Sequence, residues 1–216
     1  KIYKMKILAI GYRDWSINIY KNLAKKKIRI KILKKEVSLK EIKRYKPDFI
    51  LYYGWSKKIS KNIVERYKCI MLHPSRLPKY AGGSPIQNQI IRNVRQSAVT
   101  LFRMNEKIDR GNIISQKKIS LSGNLNDIFK RIISAGTLLS LKLFKNNYKE
   151  KKMKVTKVYL RRKPSESEIT FKEIKSKSAN YLYNKIRMLQ DPYPNAYIRT
   201  SDGKKLYLIQ AKITKK

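Results

Sequence analysis

The chain has one cysteine, one histidine and 14 acidic residues among 216. A lone Cys69 cannot close an internal disulfide, so a reducing, cytoplasmic setting is expected, and no metal is expected. No apolar run approaches the ~20 residues that span a bilayer. The opening stretch Lys1–Gly11 sets basic residues before apolar ones, but it is too short and interrupted for a signal peptide. No G-x-G-x-x-G follows the first apolar run, which argues against a dinucleotide site. Internal repeats and low-complexity segments are also missing.

Positive charge is plentiful: the formal net charge is +39. Such a field draws polyanions. However, only 14 of the 53 basic residues are arginine, the residue suited to bidentate nucleic-acid contacts, and the lysines run the whole length. Spread lysine of this kind reads as composition bias and solvated surface. Nucleic acid is expected to bind only nonspecifically, at low salt.

With 42% apolar residues, the chain is sized for one domain and a small appendage. Met5–Ile10, Ile28–Leu33 and Asp48–Tyr53 read as strands, the third almost wholly apolar, as a central parallel strand is. Helical patterns occupy the segments after Gly11 and over 38–46. Further strands are expected at 69–72, 98–104 and 112–116. Asn124 caps a long helix running to Phe144. Alternating strands and helices predict an α/β fold, a Rossmann-like, mainly parallel sheet with helices on both faces, plus a small C-terminal α+β appendage. The expected divisions are a catalytic domain over 1–148, a basic linker over 149–158 and a subdomain over 159–216. The last contains a helix near 176–189 and a hairpin turning at Ser201-Asp202-Gly203.

The most informative stretch is 69–89, CIMLHPSRLPKYAGGSPIQNQ. A short apolar run delivers His73 into a loop fixed by Pro74, Pro78, Gly82, Gly83 and Pro85, and a helix follows from Ser84. Chemistry in open α/β sheets gathers at the carboxyl ends of strands, and His73 is the one side chain that titrates near neutrality. The loop Tyr53-Gly54-Trp55 ends the neighbouring strand, and its aromatic and glycine suit a flat heterocycle.

His73-Pro-Ser-x-Leu-Pro-Lys-Tyr-x-Gly-Gly-Ser-Pro-Ile-Gln87 resembles the signature of the formyltetrahydrofolate-dependent formyltransferases. Asp109, in an Asp-x-Gly context 36 residues after His73, sits at the spacing of the family's carboxylate. Tyr159–Ile169 and Ile186–Ala196 are similar to the C-terminal blocks of the sugar N-formyltransferase branch. The resemblance implies transfer of a formyl group from N10-formyltetrahydrofolate to the amine of a nucleotide-linked amino-deoxysugar. His73 and Asp109 would be catalytic. Tyr53, Gly54, Trp55 and Asp109 would contact the folate, and Ser75, Lys79, Gly82, Gly83, Ser84, Arg161 and Arg162 the acceptor. A homodimer is compatible with this reading.

Acyl transfer to an amine needs oxyanion stabilisation and a path for protons, which a histidine held by a carboxylate provides. Two positions depart from the family pattern. Met71 stands where the family has Asn, and a thioether donates no hydrogen bond. Ala81 replaces the family's arginine. Two other readings follow: a formyltransferase acting on methionyl-tRNA or another amine, invited by charge, and an inactive folate- or nucleotide-sugar-binding protein, invited by Met71. Against the tRNA reading, few residues follow the linker, where the initiator-tRNA enzymes carry a large C-terminal barrel.

Overall fold

A computed structural model describes residues 5–145 and 148–214. The first half alternates β1 (Lys6–Ile10), α1 (Asp14–Ala24), β2 (Arg29–Leu33), α2 (Leu39–Tyr45), β3 (Phe49–Tyr53), α3 (Lys61–Arg66) and β4 (Cys69–His73). Next come a two-residue strand β5 (Ala81–Gly82), α4 (Pro85–Ile90), β6 (Gln96–Arg103), β7 (Ile113–Ser120) and the long α5 (Leu125–Phe144). The remaining elements are β8 (Val158–Tyr159), α6 (Phe171–Ser176), α7 (Ala179–Arg187) and the hairpin β9 (Ala196–Arg199) and β10 (Lys205–Leu208).

Six strands form the central sheet in the order β2-β1-β3-β4-β6-β7. The first four are parallel, and β6 and β7 run antiparallel to their neighbours. Helices cover both faces. Alternate residues of β1, β3 and β4 divide between two clusters, as a period of two requires. Ile7, Ala9, Phe49, Leu51, Ile70 and Leu72 meet α1 and α5, while Leu8, Ile10, Ile50, Tyr52 and Cys69 meet α2 and α3. Helix α5 begins in a capping box, Asn124 accepting from Asp127 N–H while Asp127 accepts from Asn124 N–H. Burial in the α2–α3 layer pushes the Cys69 thiol up to about 12, so this cysteine stays protonated and inert.

Residues beyond 158 share the main core. Ile169, Ile186, Met188, Leu189 and Ala196 join the cluster built by α1 and α5. Arg187 donates to the carbonyls of Leu121 (2.7 Å) and Gly123 (2.9 Å), and burial lowers its guanidinium pKa. The hairpin closes antiparallel around Ser201-Asp202-Gly203, with Leu206 opposite Ile198. Among the described residues, no helix is long and apolar enough to cross a membrane.

Candidate active site

Strand β4 carries His73 to its carboxyl end, beside the end of β3 and opposite Thr100 on β6. The imidazole is almost closed from solvent, its side chain 7% exposed. Nε2 lies 2.9 Å from the carbonyl of Tyr80. A carbonyl only accepts, so Nε2 carries a proton. Nδ1 lies 3.4 Å from Oδ2 of Asp109, whose side chain is 11% exposed. Each ring nitrogen therefore faces an acceptor, and a second proton on the ring would sit against a carboxylate.

Asp109 is held equally firmly. The same Oδ2 accepts the backbone N–H of Gly82 at 2.8 Å. Its backbone is left-handed, φ 50°, a region that Asp tolerates better than most residues. Two residues on, a Cβ at Gly111 would fall 1.6 Å from the Arg103 carbonyl, which explains the glycine of the Asp-x-Gly context. His73, Asp109 and the Gly82 N–H thus form one connected set.

The 74–80 loop is braced from within. Ser75 is fully buried, and its hydroxyl donates to the Lys79 carbonyl at 2.7 Å. Thr100 Oγ1 donates to the Ser75 carbonyl (2.6 Å) and accepts from Leu77 N (3.2 Å), while Gln116 Nε2 donates to the Leu77 carbonyl (2.7 Å). The Ser75 side chain is thereby turned to the loop's own backbone, away from any acceptor ligand. Lys79 is exposed.

Beyond the loop, β5 pairs in parallel with β8, Ala81 opposite Val158 and Gly82 opposite Tyr159. This crossing explains the two glycines. A Cβ on Gly82, whose φ is +99°, would lie 2.4 Å from the Tyr159 carbonyl, and one on Gly83 would lie 2.4 Å from Arg161 N. Ser84 Oγ accepts the N–H of Arg162 at 3.1 Å. The structure therefore brings Gly82, Gly83, Ser84 and Arg162 together next to the His73–Asp109 pair. The Arg161 side chain is exposed.

Met71 lies two residues before His73 on the same face of β4, packed partly buried against the cluster of Leu77, Ala81, Phe102 and Val155. Fully buried Ala81 belongs to the same cluster. An apolar patch therefore stands where the family pattern has two polar side chains.

At the end of β3 the Tyr53 side chain points into the core, its hydroxyl 3.0 Å from Ser140 Oγ, and burial raises its phenol well above the ordinary range. Only its backbone is available to a ligand. Trp55 is buried, edge-on to Tyr12 at 5.4 Å, and its Nε1–H has no partner among the described residues. Gly54, at φ +63°, lies against Arg13.

A cleft of about 80 Å³ adjoins the Gly82–Ser84 turn, lined by Ser84, Gln87, Arg162, Lys163, Leu189 and Tyr193 among others. Gln87, the third residue of α4, is 3% exposed.

Set beside known proteins, the chain matches a family model described as formyl transferase over residues 15–133. The chain belongs to the formyl transferase family. A methionyl-tRNA formyltransferase from Syntrophomonas wolfei subsp. wolfei is 30% identical over 191 residues, covering 84% of this chain and 59% of that relative. The chain thus spans somewhat more than half the length of this curated relative. A methionyl-tRNA formyltransferase structure from Clostridium thermocellum superposes with a TM-score of 0.82 at 27% identity, over 94% of this chain and 96% of that one. A sugar N-formyltransferase structure from a Shewanella species has a TM-score of 0.75 at 18% identity, over 98% and 99% of the two chains, and shows the shared fold.

Proposed function

We propose that the protein formylates the amine of a nucleotide-linked amino-deoxysugar, with N10-formyltetrahydrofolate as donor and His73 and Asp109 as the catalytic pair. The observation that carries this reading is the β5–β8 crossing. It sets Arg162 and the small cleft beside Ser84 directly on the turn whose N–H anchors Asp109. A small shaped pocket with cationic groups suits a compact phosphorylated acceptor.

The residues present fit the donor. The loop 53–55 offers backbone groups and the unpartnered Nε1–H of buried Trp55 to a flat heterocycle. The folate supplies the activated formyl group. Exchanging that group between two nitrogens requires one proton to leave the incoming amine and one to reach the departing nitrogen. Both ring nitrogens of His73 face protein acceptors, the Tyr80 carbonyl and the Asp109 carboxylate, so the protons pass through the second oxygen of Asp109 and water, with His73 holding that carboxylate in place. An Nδ1–H opposite Asp109 forms a charge-assisted hydrogen bond, which stabilises the imidazolium as charge develops. Met71 brings no donor and both His73 nitrogens are engaged, so oxyanion stabilisation falls to backbone N–H groups and water.

A second reading, formylation of methionyl-tRNA, is favoured by the curated relative and by the net charge of +39. A salt series separates the two. Binding through 6–10 phosphates weakens roughly 10³–10⁵-fold between 50 and 200 mM salt, whereas a pocket holding one diphosphate responds weakly. Transfer to a panel of nucleotide-linked amino sugars is expected to survive 200 mM salt, while tRNA binding collapses without formylation of methionyl-tRNA. Salt-resistant formylation of methionyl-tRNA with no transfer to any amino sugar would reverse the assignment.

A further inference from the structure

The cleft beside Ser84 contains two buried donors with no partner among the described residues, the Gln87 amide Nε2 and the Arg162 Nε. Buried donors are nearly always satisfied, and each one left open costs about 1–3 kcal/mol. Two in one cleft, from elements 75 residues apart in sequence, require an explanation.

The rest of the Arg162 guanidinium is engaged. Nη2 donates to the Glu166 carbonyl at 2.8 Å, and Nη1 lies 3.6 Å from the Glu166 carboxylate. The fork that would grip a phosphate from two sides is therefore not free. Nε–H remains, buried and without a partner among the described residues, on a side chain that lines the cleft. Gln87 is held in place by burial, and Lys163 adds an ammonium at the rim. Leu189, Tyr193, Pro164 and Pro194 complete the apolar lining. The two unpartnered atoms are both donors, and the Gln87 Oε1 is the one acceptor the pair carries.

We infer that Gln87 Nε2–H and Arg162 Nε–H together form a subsite for one oxyanion of a bound ligand, with Lys163 supplying the charge. This rests on the formyl-transfer reading only for the ligand's identity: the acceptor's phosphate is the first source, the glutamate carboxylate of the folate the second. Gln87 thereby becomes a specificity residue of the site.

The test is direct binding at 300 mM salt, which needs no turnover. Probes are uridine diphosphate, inorganic pyrophosphate and tetrahydrofolate. Gln87→Met keeps the bulk and removes the donor without changing charge, so the protein's overall field cannot account for any loss. Uridine diphosphate and pyrophosphate are expected to bind roughly tenfold more weakly, the equivalent of one hydrogen bond to a charged group, while the melting temperature holds or rises. Gln87→Glu places a carboxylate against Arg162 Nε and is expected to abolish diphosphate binding. A loss confined to tetrahydrofolate would support the subsite with the carboxylate as its occupant. Unchanged affinity for all three probes in Gln87→Met would overturn the inference, as would wild-type protein that binds none of them. A His73→Ala protein that keeps uridine diphosphate affinity without formyl transfer separates this subsite from the chemistry.

Discussion

Replacing Asp109 by Asn isolates the carboxylate charge from everything else the residue does. A single oxygen, Oδ2, both accepts the Gly82 N–H and faces His73 Nδ1. The amide oxygen of Asn can take that place, and Asn tolerates the left-handed backbone as Asp does. The structural cost is one charge-assisted hydrogen bond converted to a neutral one, about 1 kcal/mol. For a chain of this size that lowers the melting temperature by about 2–4 °C. The catalytic cost is larger. His73 loses the negative partner that meets its second proton, and general acid–base assistance is worth roughly 10²–10⁴ in rate, or about 3–5 kcal/mol of barrier. The two effects differ enough to be told apart. Thermal melts and formyl transfer measured on the same samples should show a near-native melt with transfer at least a hundredfold slower. Transfer within tenfold of wild type would refute the assignment of Asp109. A melt lowered by 10 °C or more would instead show that its charge is needed to hold the Gly82 turn.

Two further outcomes are expected. Met71→Asn puts a donor on the His73 face of β4, and formyl transfer should be maintained or raised despite roughly 1–2 kcal/mol of lost apolar packing; a large loss of transfer with an intact melt would contradict this picture of the site. Glu173→Gln should destabilise the fold at pH 7 by roughly 2–3 kcal/mol, since it leaves the Lys185 ammonium, 6% exposed, without its carboxylate. Burial alone would raise the Glu173 pKa, but the Lys185 and Thr170 hydrogen bonds override it and hold it below its ordinary value. The stabilisation is therefore fully present above the unfolded-state pKa and disappears as pH falls through the folded value. Urea titrations should show the gap between the two proteins narrowing as pH falls below the ordinary carboxylate range; a gap that stays as wide throughout the acid range as at pH 7 would count against the ion pair.

Much of the fold was readable because its signals are local. Strands β1, β3 and β4 are continuous apolar runs, α5 is announced by the Asn124 cap and its apolar stripe, and the hairpin by Ser201-Asp202-Gly203. The six-residue α3 was not anticipated, because two buried residues, Ile63 and Val64, are too few to make a period. The antiparallel entry of β6 depends on which sheet edge is open, and nothing in 96–103 encodes that. The placement of His73 at a strand end was legible, and so was its loop. Ser75 was expected at the acceptor because of its position in the signature, but whether a hydroxyl faces a ligand or its own loop depends on Lys79 and Thr100. The burial of Gln87 was not legible, because the cleft it lines is shared with Leu189 and Tyr193, about a hundred residues away in sequence.

The crossing of β8 over the Gly82–Gly83 turn has a consequence for how the protein is made. β5 is two residues long and, among the described residues, pairs with 158–159 alone. A nascent chain synthesised as far as residue 150 already contains His73, Asp109 and the complete six-stranded sheet. It does not yet contain the segment that packs against the two glycines and seats the N–H holding Asp109. The His73–Asp109 pair is therefore braced by residues translated after the last strand of the sheet. Synthesis order places the frame of the candidate site ahead of the segment that braces it.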